Sequence, residues 1–170
     1  FIKHSLIATS GIIVVPTIIP ACSRGGNGKV SPSDKITVAL IGCGNQGGWD
    51  IMSLAKDERI QVLALCDVNK RSKGYWSGAL GGRDVVEARL QKFYTEKNGK
   101  KYNGLRLEDD FREVIEMSDV DAVEIAVPDH WHAIPSIMAA KAGKAIYCQK
   151  PLALTIREGR AIADAVKKYG

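Results

Sequence analysis

Residues 36–47, Ile-Thr-Val-Ala-Leu-Ile-Gly-Cys-Gly-Asn-Gln-Gly, constrain the fold of this chain more than any other stretch. The apolar run Ile36 to Ile41 reads as a buried parallel strand. It breaks into Gly42-Cys43-Gly44-Asn45-Gln46-Gly47, a G-x-G-x-x-G spacing that turns a strand sharply into a helix. Gly42 permits the tight turn, Gly44 lets the backbone approach a pyrophosphate, and Gly47 lets helix and strand pack closely. The N–H groups of the helix start, through Asn45 and Gln46, then face the anion. The spacing alone is weakly specific, because any tight strand-to-helix turn favours glycine, so its context carries the weight.

That context includes an acidic residue at the expected place. A second apolar run, Ile60 to Cys66, ends at Asp67, which follows Gly47 by twenty residues. A dinucleotide-binding unit puts a carboxylate there to accept hydrogen bonds from the adenosine ribose. An isolated aspartate in a turn reads first as a solvated residue; strand, glycine turn, helix and second strand in register point instead to the ribose. A carboxylate repels a 2′-phosphate, which favours NAD over NADP. Lys70 and Arg71 follow closely and offer positive charge to that phosphate, so NADP stays open.

A chain of 170 residues with ordinary composition is long enough for one domain with a sizeable core. The net charge of +5 is spread among acids, and only Lys97 to Lys101 forms a short basic cluster. No aromatic stacking platform accompanies that cluster, which reads as a solvated loop and not as a nucleic-acid surface. Cys22, Cys43, Cys66 and Cys148 lack metal-binding spacing, and His130, His132 and Cys148 leave no convincing third ligand, so no metal is expected. The cysteines read as small buried hydrophobes, with a Cys43–Cys66 disulfide conceivable in an oxidising compartment.

Residues 1–22 are a different object. Lys3 and His4 precede Ser5 to Ala21, a stretch without a charged residue, with Ile12-Ile13-Val14-Val15 at its centre and Pro16 and Pro20 interrupting it. Basic start, apolar middle and small residues at the end form the layout of a secretory signal, and the run is too short and broken for a spanning helix. Ile19-Pro20-Ala21-Cys22 resembles a lipoprotein cleavage box, which would make a lipid anchor at Cys22 the one contact with a membrane. Phe1-Ile2-Lys3 resembles the tail of a twin-arginine export signal, whose arginine pair would lie upstream. These features predict export to the periplasm or cell envelope; a buried N-terminal strand is the plainer alternative. Residues 23–34, rich in Gly, Ser, Pro and Lys, read as a linker, and residues 35–170 as the folded domain.

Beyond Asp67 comes a polar, Gly-rich stretch, Ser72 to Gly82. The pattern then predicts a helix over 83–97, a short strand or extended link over 102–107, a helix over 108–117, a strand over 121–127, a helix over 134–142, a strand over 145–149 and a helix over 155–169. Strands alternating with helices argue for a doubly wound parallel sheet, the Rossmann arrangement. In such sheets ligands bind outside the carboxyl ends of the strands. Two polar clusters fall at those ends, Pro128-Asp129-His130-Trp131-His132 and Gln149-Lys150-Pro151.

With these motifs in view, the chain resembles the Gfo/Idh/MocA family, the glucose–fructose oxidoreductase and inositol dehydrogenase group, from about Lys35 to the C-terminus. The family has a dinucleotide loop like Gly42–Gly47, a Pro-x-x-x-His turn matched by Pro128 and His132, and a Glu-Lys-Pro motif that here is Gln149-Lys150-Pro151. The resemblance implies an oxidoreductase transferring hydride between a nicotinamide cofactor and a sugar or polyol. It places Lys150 near the nicotinamide as a catalytic residue that polarises the substrate oxygen or relays its proton. A surface lysine is the alternative for that position taken alone. It makes His132 a second catalytic residue, at the start of the helix lining the crevice and close to the nicotinamide, with Pro128, Asp129 and Gln149 beside the cofactor and His130 and Trp131 in the substrate pocket. Gln149 departs from the family's Glu: it keeps the shape and hydrogen bonding and loses the charge. If Gln149→Glu raised turnover greatly, the native site would read as degenerate.

The resemblance also implies a second α/β domain, which these residues lack, so the chain reads as a fragment or as a truncated binding protein, and a homo-oligomer is expected at full length. Two other readings of the family remain: a glycoside-cleaving relative that recycles tightly held NAD, and a non-catalytic nucleotide-binding module. A methyltransferase also pairs a glycine loop with an acid at strand two, but Gly47 and the Gln-Lys-Pro motif count against it.

Overall fold

The computed structural model describes residues 30–75 and 78–170. The signal-like segment and Cys22 lie outside the described residues. The last part of the linker forms a short 3-10 turn, Pro32–Asp34.

Five strands form one parallel sheet: β1 (Ile36–Ile41), β2 (Ile60–Cys66), β3 (Arg106–Glu108), β4 (Ala122–Ile125) and β5 (Ala145–Cys148), in the order β3-β2-β1-β4-β5. Five helices connect or follow them: α1 (Asn45–Leu54), α2 (Arg83–Asn98), α3 (Phe111–Glu116), α4 (Ala133–Lys141) and α5 (Ile156–Tyr169). The order reverses direction between β1 and β4, which opens a crevice at their carboxyl ends. This is the doubly wound sheet that the alternation of elements predicts.

Side-chain alternation along β1 builds two cores. Val38 and Leu40 pack with Ile51, Val62, Leu65, Val86 and Leu90 under α1 and α2. Ala39 and Ile41 pack with Val114, Ile115, Val123, Ile125 and Ala139 on the side of α3 and α4. From Val38 to Ile41, β1 is therefore apolar on both faces, which explains its unbroken hydrophobic run.

Element boundaries differ from the expected ones where polar groups decide them. The helix predicted from Glu108 begins at Phe111. The Glu108 carbonyl accepts from Asp67 N–H, which keeps it in the sheet, and the Asp110 side chain caps α3 by accepting from Arg112 N–H at 2.9 Å. β4 ends at Ile125, two residues earlier than predicted, as the chain turns into Pro128. The start of α5 is set by a capping box in which the Thr155 hydroxyl accepts from Glu158 N–H at 3.2 Å and the Glu158 carboxylate accepts from Thr155 N–H at 2.9 Å.

Candidate functional site

The glycine turn sits where β1 meets α1. Gly42 has φ +99°, a conformation that side chains avoid, and its N–H donates to Cys66 O at 2.8 Å, which fastens the turn to the end of β2. A Cβ on Gly47 would lie 2.1 Å from Gly42 O and 2.9 Å from the Ala126 side chain, so α1 approaches the strands as closely as glycine allows. Gly44 is the N-cap of α1 and contributes no side chain to cap its first turn, which leaves that helix end to an external anion.

Asp67 stands opposite. Its Oδ2 accepts from Cys43 N–H at 2.8 Å and from the Tyr75 hydroxyl at 3.0 Å, while Oδ1 accepts from Asn69 N–H at 2.8 Å. The carboxylate thus ties the tip of β2 to the middle of the glycine turn. A cavity of about 620 Å³ opens between the two, lined by Gly42, Gly44, Asn45, Gln46 and Asp67, and farther along by Val127, Pro128, His130 and Trp131. Phe111 and Trp131 stand edge to face, ring centroids 6.4 Å apart, as a wall of that cavity. Cradle, carboxylate and apolar wall together fit a dinucleotide.

The expected residues divide. Gly42, Gly44, Asn45, Gln46, Asp67, Pro128, His130 and Trp131 share the cleft. Gly47 packs beneath it. Arg71 is exposed and does not line it; Asp129, half-buried, accepts from His130 N–H at 2.8 Å and stays at the turn. His132 requires a correction. It does not line the crevice: it is 1% exposed, with Nδ1 2.7 Å from Pro151 O and Nε2 2.8 Å from Val127 O. Both neighbours are carbonyl oxygens and a neutral imidazole has one N–H, so the ring bonds one of them and packs against the other, between the end of β4 and the loop after β5 and away from the cleft. Lys150 is exposed at the carboxyl end of β5, and the Lys150–Pro151 peptide is cis.

Gln149 is held by a network that the sequence did not disclose. Its Nε2 donates to Asp50 Oδ2 at 2.5 Å, Gln46 Nε2 donates to Asp50 Oδ1 at 2.8 Å, and Gln149 Oε1 accepts from Lys150 N–H at 3.1 Å. Glu124 completes the cluster. It lies in the middle of β4, fully buried, and neither carboxyl oxygen has a donor. Burial, then the neighbouring Asp50, push its carboxyl up to about 8 from 4.5. Burial and the nearby Asp50 thus favour the protonated form of Glu124. A glutamate at 149 would place a third carboxyl in this cluster, so glutamine is the residue that satisfies Asp50. We expect Gln149→Glu to destabilise the domain by roughly 1–3 kcal/mol, more at high pH than at low, with partial recovery in the Gln149→Glu, Asp50→Asn double variant. Urea unfolding of the four members of that cycle measures it, and equal stability of Gln149→Glu and wild type would sink the assignment.

Cys43, Cys66 and Cys148 are free thiols. Cys43 and Cys66 are neighbours, with Cys43 Sγ 3.6 Å from Cys66 O. Burial raises both thiols, Cys66 to about 12, so they act as core residues.

Fold and cleft define a dinucleotide-binding α/β domain. Residues 36–170 match the family described as the oxidoreductase family with NAD-binding Rossmann fold, Gfo/Idh/MocA, and the chain belongs to it. It is an NAD(P)-binding domain of that oxidoreductase family. The chain is similar to levoglucosan dehydrogenase of Pseudarthrobacter phenanthrenivorans, 52% identical over 58 residues, which are 34% of this chain and 15% of that protein. It is also similar to the alpha-N-acetylgalactosaminidase of Shewanella oneidensis, 25% identical over 99% of this chain and 36% of that protein. Among solved structures, an NAD-binding protein from Listeria innocua superposes with TM-score 0.59 at 25% identity, covering 79% of this chain and 33% of that one. The WlbA dehydrogenase from Bordetella pertussis, in complex with NADH and UDP-GlcNAcA, has the same fold, with TM-score 0.57 at 21% identity over 80% of this chain and 33% of that one. The chain spans about a third or less of the length of these relatives.

Proposed function

We propose that this chain is the cofactor-binding part of an exported oxidoreductase that transfers hydride between NAD and a sugar or polyol. The observation that carries the reading is the placement of the glycine turn, Asp67 and Pro128 around one cleft at the carboxyl ends of β1, β2 and β4. The helix end at Gly44 and the loop amides hold the pyrophosphate, and Asp67 holds the adenosine ribose. Asp67 stands in the cleft and Arg71 outside it, which supports NAD over NADP. A bound nicotinamide supplies the hydride chemistry. Lys150, exposed at the carboxyl end of β5, is the residue we assign to hydrogen-bond the substrate oxygen and to take up or return its proton, while His132 keeps the Gln149–Pro151 loop in register with β4.

Sugar chemistry is supported by the names of the relatives, a levoglucosan dehydrogenase and an alpha-N-acetylgalactosaminidase. The second of these matches nearly the whole chain and keeps glycoside cleavage through recycled NAD as a second reading. Export is supported by the charged start and apolar run of residues 1–22.

Calorimetry with NAD, NADP and S-adenosylmethionine tests the cofactor assignment. NAD is expected to bind at least about tenfold more tightly than NADP, a difference of about 1.4 kcal/mol. Binding of S-adenosylmethionine alone would overturn it. Recovery of the protein in the periplasmic fraction of a bacterial host tests export, and retention in the cytoplasm speaks against it.

A further inference from the structure

Between β2 and α2 the chain makes a loop that bends back over the cleft. Ser72 and Gly81 close it with two backbone hydrogen bonds, Ser72 N–H to Gly81 O at 3.0 Å and Gly81 N–H to Ser72 O at 2.9 Å. The next residue, Gly82, donates its N–H to Cys43 O at 2.9 Å, so the base of the loop is pinned to the glycine turn itself. From this loop Tyr75 reaches inward. Its hydroxyl donates to Asp67 Oδ2 at 3.0 Å, and its ring stands 2.9 Å from where a Cβ on Gly44 would be. Gly44 is the point at which the pyrophosphate must approach the backbone, and Asp67 is the acceptor that the ribose hydroxyls need. Tyr75 covers both.

We propose that Tyr75 is a further residue of the nucleotide site, an internal competitor for the adenosine end: its phenol holds the Asp67 oxygen and its ring covers Gly44, so a dinucleotide binds by exchange with Tyr75. The proposal rests on the NAD-binding reading above. The exchange replaces like with like at Asp67, since a ribose hydroxyl and the phenol are both O–H donors to one carboxylate oxygen. Burial and the Asp67 carboxylate raise the phenol, so it stays a donor throughout the physiological range and the competition does not lapse with pH. The ring lies between two glycines, since a Cβ on Gly81 would also stand 2.5 Å from it, and the bonds that close the loop at Ser72 and Gly81 are backbone bonds in which the phenol takes no part. Neither the glycine spacing nor Asp67 announces this residue, and it sets how much of the intrinsic affinity of the cradle is realised.

The test is calorimetry of the full chain and of its Tyr75→Phe and Tyr75→Ala variants with NAD, AMP and nicotinamide mononucleotide. Loss of a hydrogen bond to a charged partner is expected to tighten NAD and AMP by about tenfold in Tyr75→Phe, and Tyr75→Ala, which also uncovers Gly44, by at least as much. Nicotinamide mononucleotide, which lacks the adenosine half, should be unaffected. Unchanged or weaker binding of NAD and AMP in both variants would overturn the proposal, because Tyr75 would then be neutral or a partner of the cofactor. Equal tightening of nicotinamide mononucleotide would also overturn it, as a general loosening of the cleft. If wild type binds NAD with the affinity of both variants, only the Tyr75 proposal falls; if none of the three proteins binds NAD or NADP, the nucleotide reading falls with it.

Discussion

Gly47→Ala is expected to lower the stability of the domain by roughly 3 kcal/mol or more and to abolish dinucleotide binding. The added Cβ would lie 2.1 Å from Gly42 O, and neither side can give way. The carbonyl belongs to a turn fastened by Gly42 N–H to Cys66 O, and Gly48 N–H is bonded to Gly44 O within α1. Relief therefore requires α1 to move off β1 and β4, which pulls the helix end away from the pyrophosphate position. Gly159→Ala is the matched control. It makes the same chemical change inside α5, where a Cβ meets nothing within 4 Å, and is expected to stabilise by roughly 0.5–1 kcal/mol. Urea unfolding and NAD calorimetry of the two variants check the pair. A Gly47→Ala protein with wild-type stability and NAD affinity would show that helix and strand are not in the close contact described.

The second large effect runs in the opposite direction. Glu124→Gln is expected to stabilise the domain by roughly 3 kcal/mol at neutral pH. The sign follows from the raised carboxyl. In the unfolded chain Glu124 loses its proton near 4.5, whereas in the fold it keeps the proton to about 8. The folded state therefore binds the extra proton between those values, and stability contributed by the protonated form is complete below 4.5 and is lost as pH rises to about 8. Glutamine has the shape of the protonated acid, offers N–H donors beside Asp50 and does not titrate. Its advantage should vanish at about pH 4.5, grow through neutrality and level off above about pH 8. Urea unfolding across that range measures it. A gain independent of pH would mean that the glutamate was costly for packing alone, and no gain at all would mean that it is ionised and satisfied in the fold.

The two predictions fall on opposite sides of what a reader of the residues can reach. Gly47 was legible because the backbone geometry of a strand-to-helix turn restricts residue type locally, and local restriction leaves a mark at fixed spacing. The order of elements was legible for the same reason: buried parallel strands must be apolar on both faces, and helices must be apolar on one. Glu124 left a weaker mark, a single carboxylate inside the run Val123 to Val127, whose meaning depends on Asp50 from a distant helix. Tyr75 left none, since a polar loop has no period and its closure is made by backbone atoms.

At His132 and Gln149 the residues pointed to the right place and the wrong contact. The Pro-x-x-x-His spacing located His132 at the start of α4, but which way its ring turns is set by the carbonyls of Val127 and Pro151, one of them nineteen residues away. Gln149 reads in one dimension as a lost charge beside Lys150; in three it is the donor that Asp50 requires.

The amino-acid order alone was enough for the parallel sheet, the glycine cradle and the carboxylate at the tip of β2, because each is enforced by short-range sterics and by burial that recurs along the strand. The assembled fold was needed to show that Asp67 already holds Cys43 and Tyr75, that His132 faces inward, and that Gln149 bonds Asp50 beside the buried Glu124. Hydrogen bonds between residues far apart in the chain are short, directional and partner-specific, and nothing in either partner's own neighbourhood records which one it will meet.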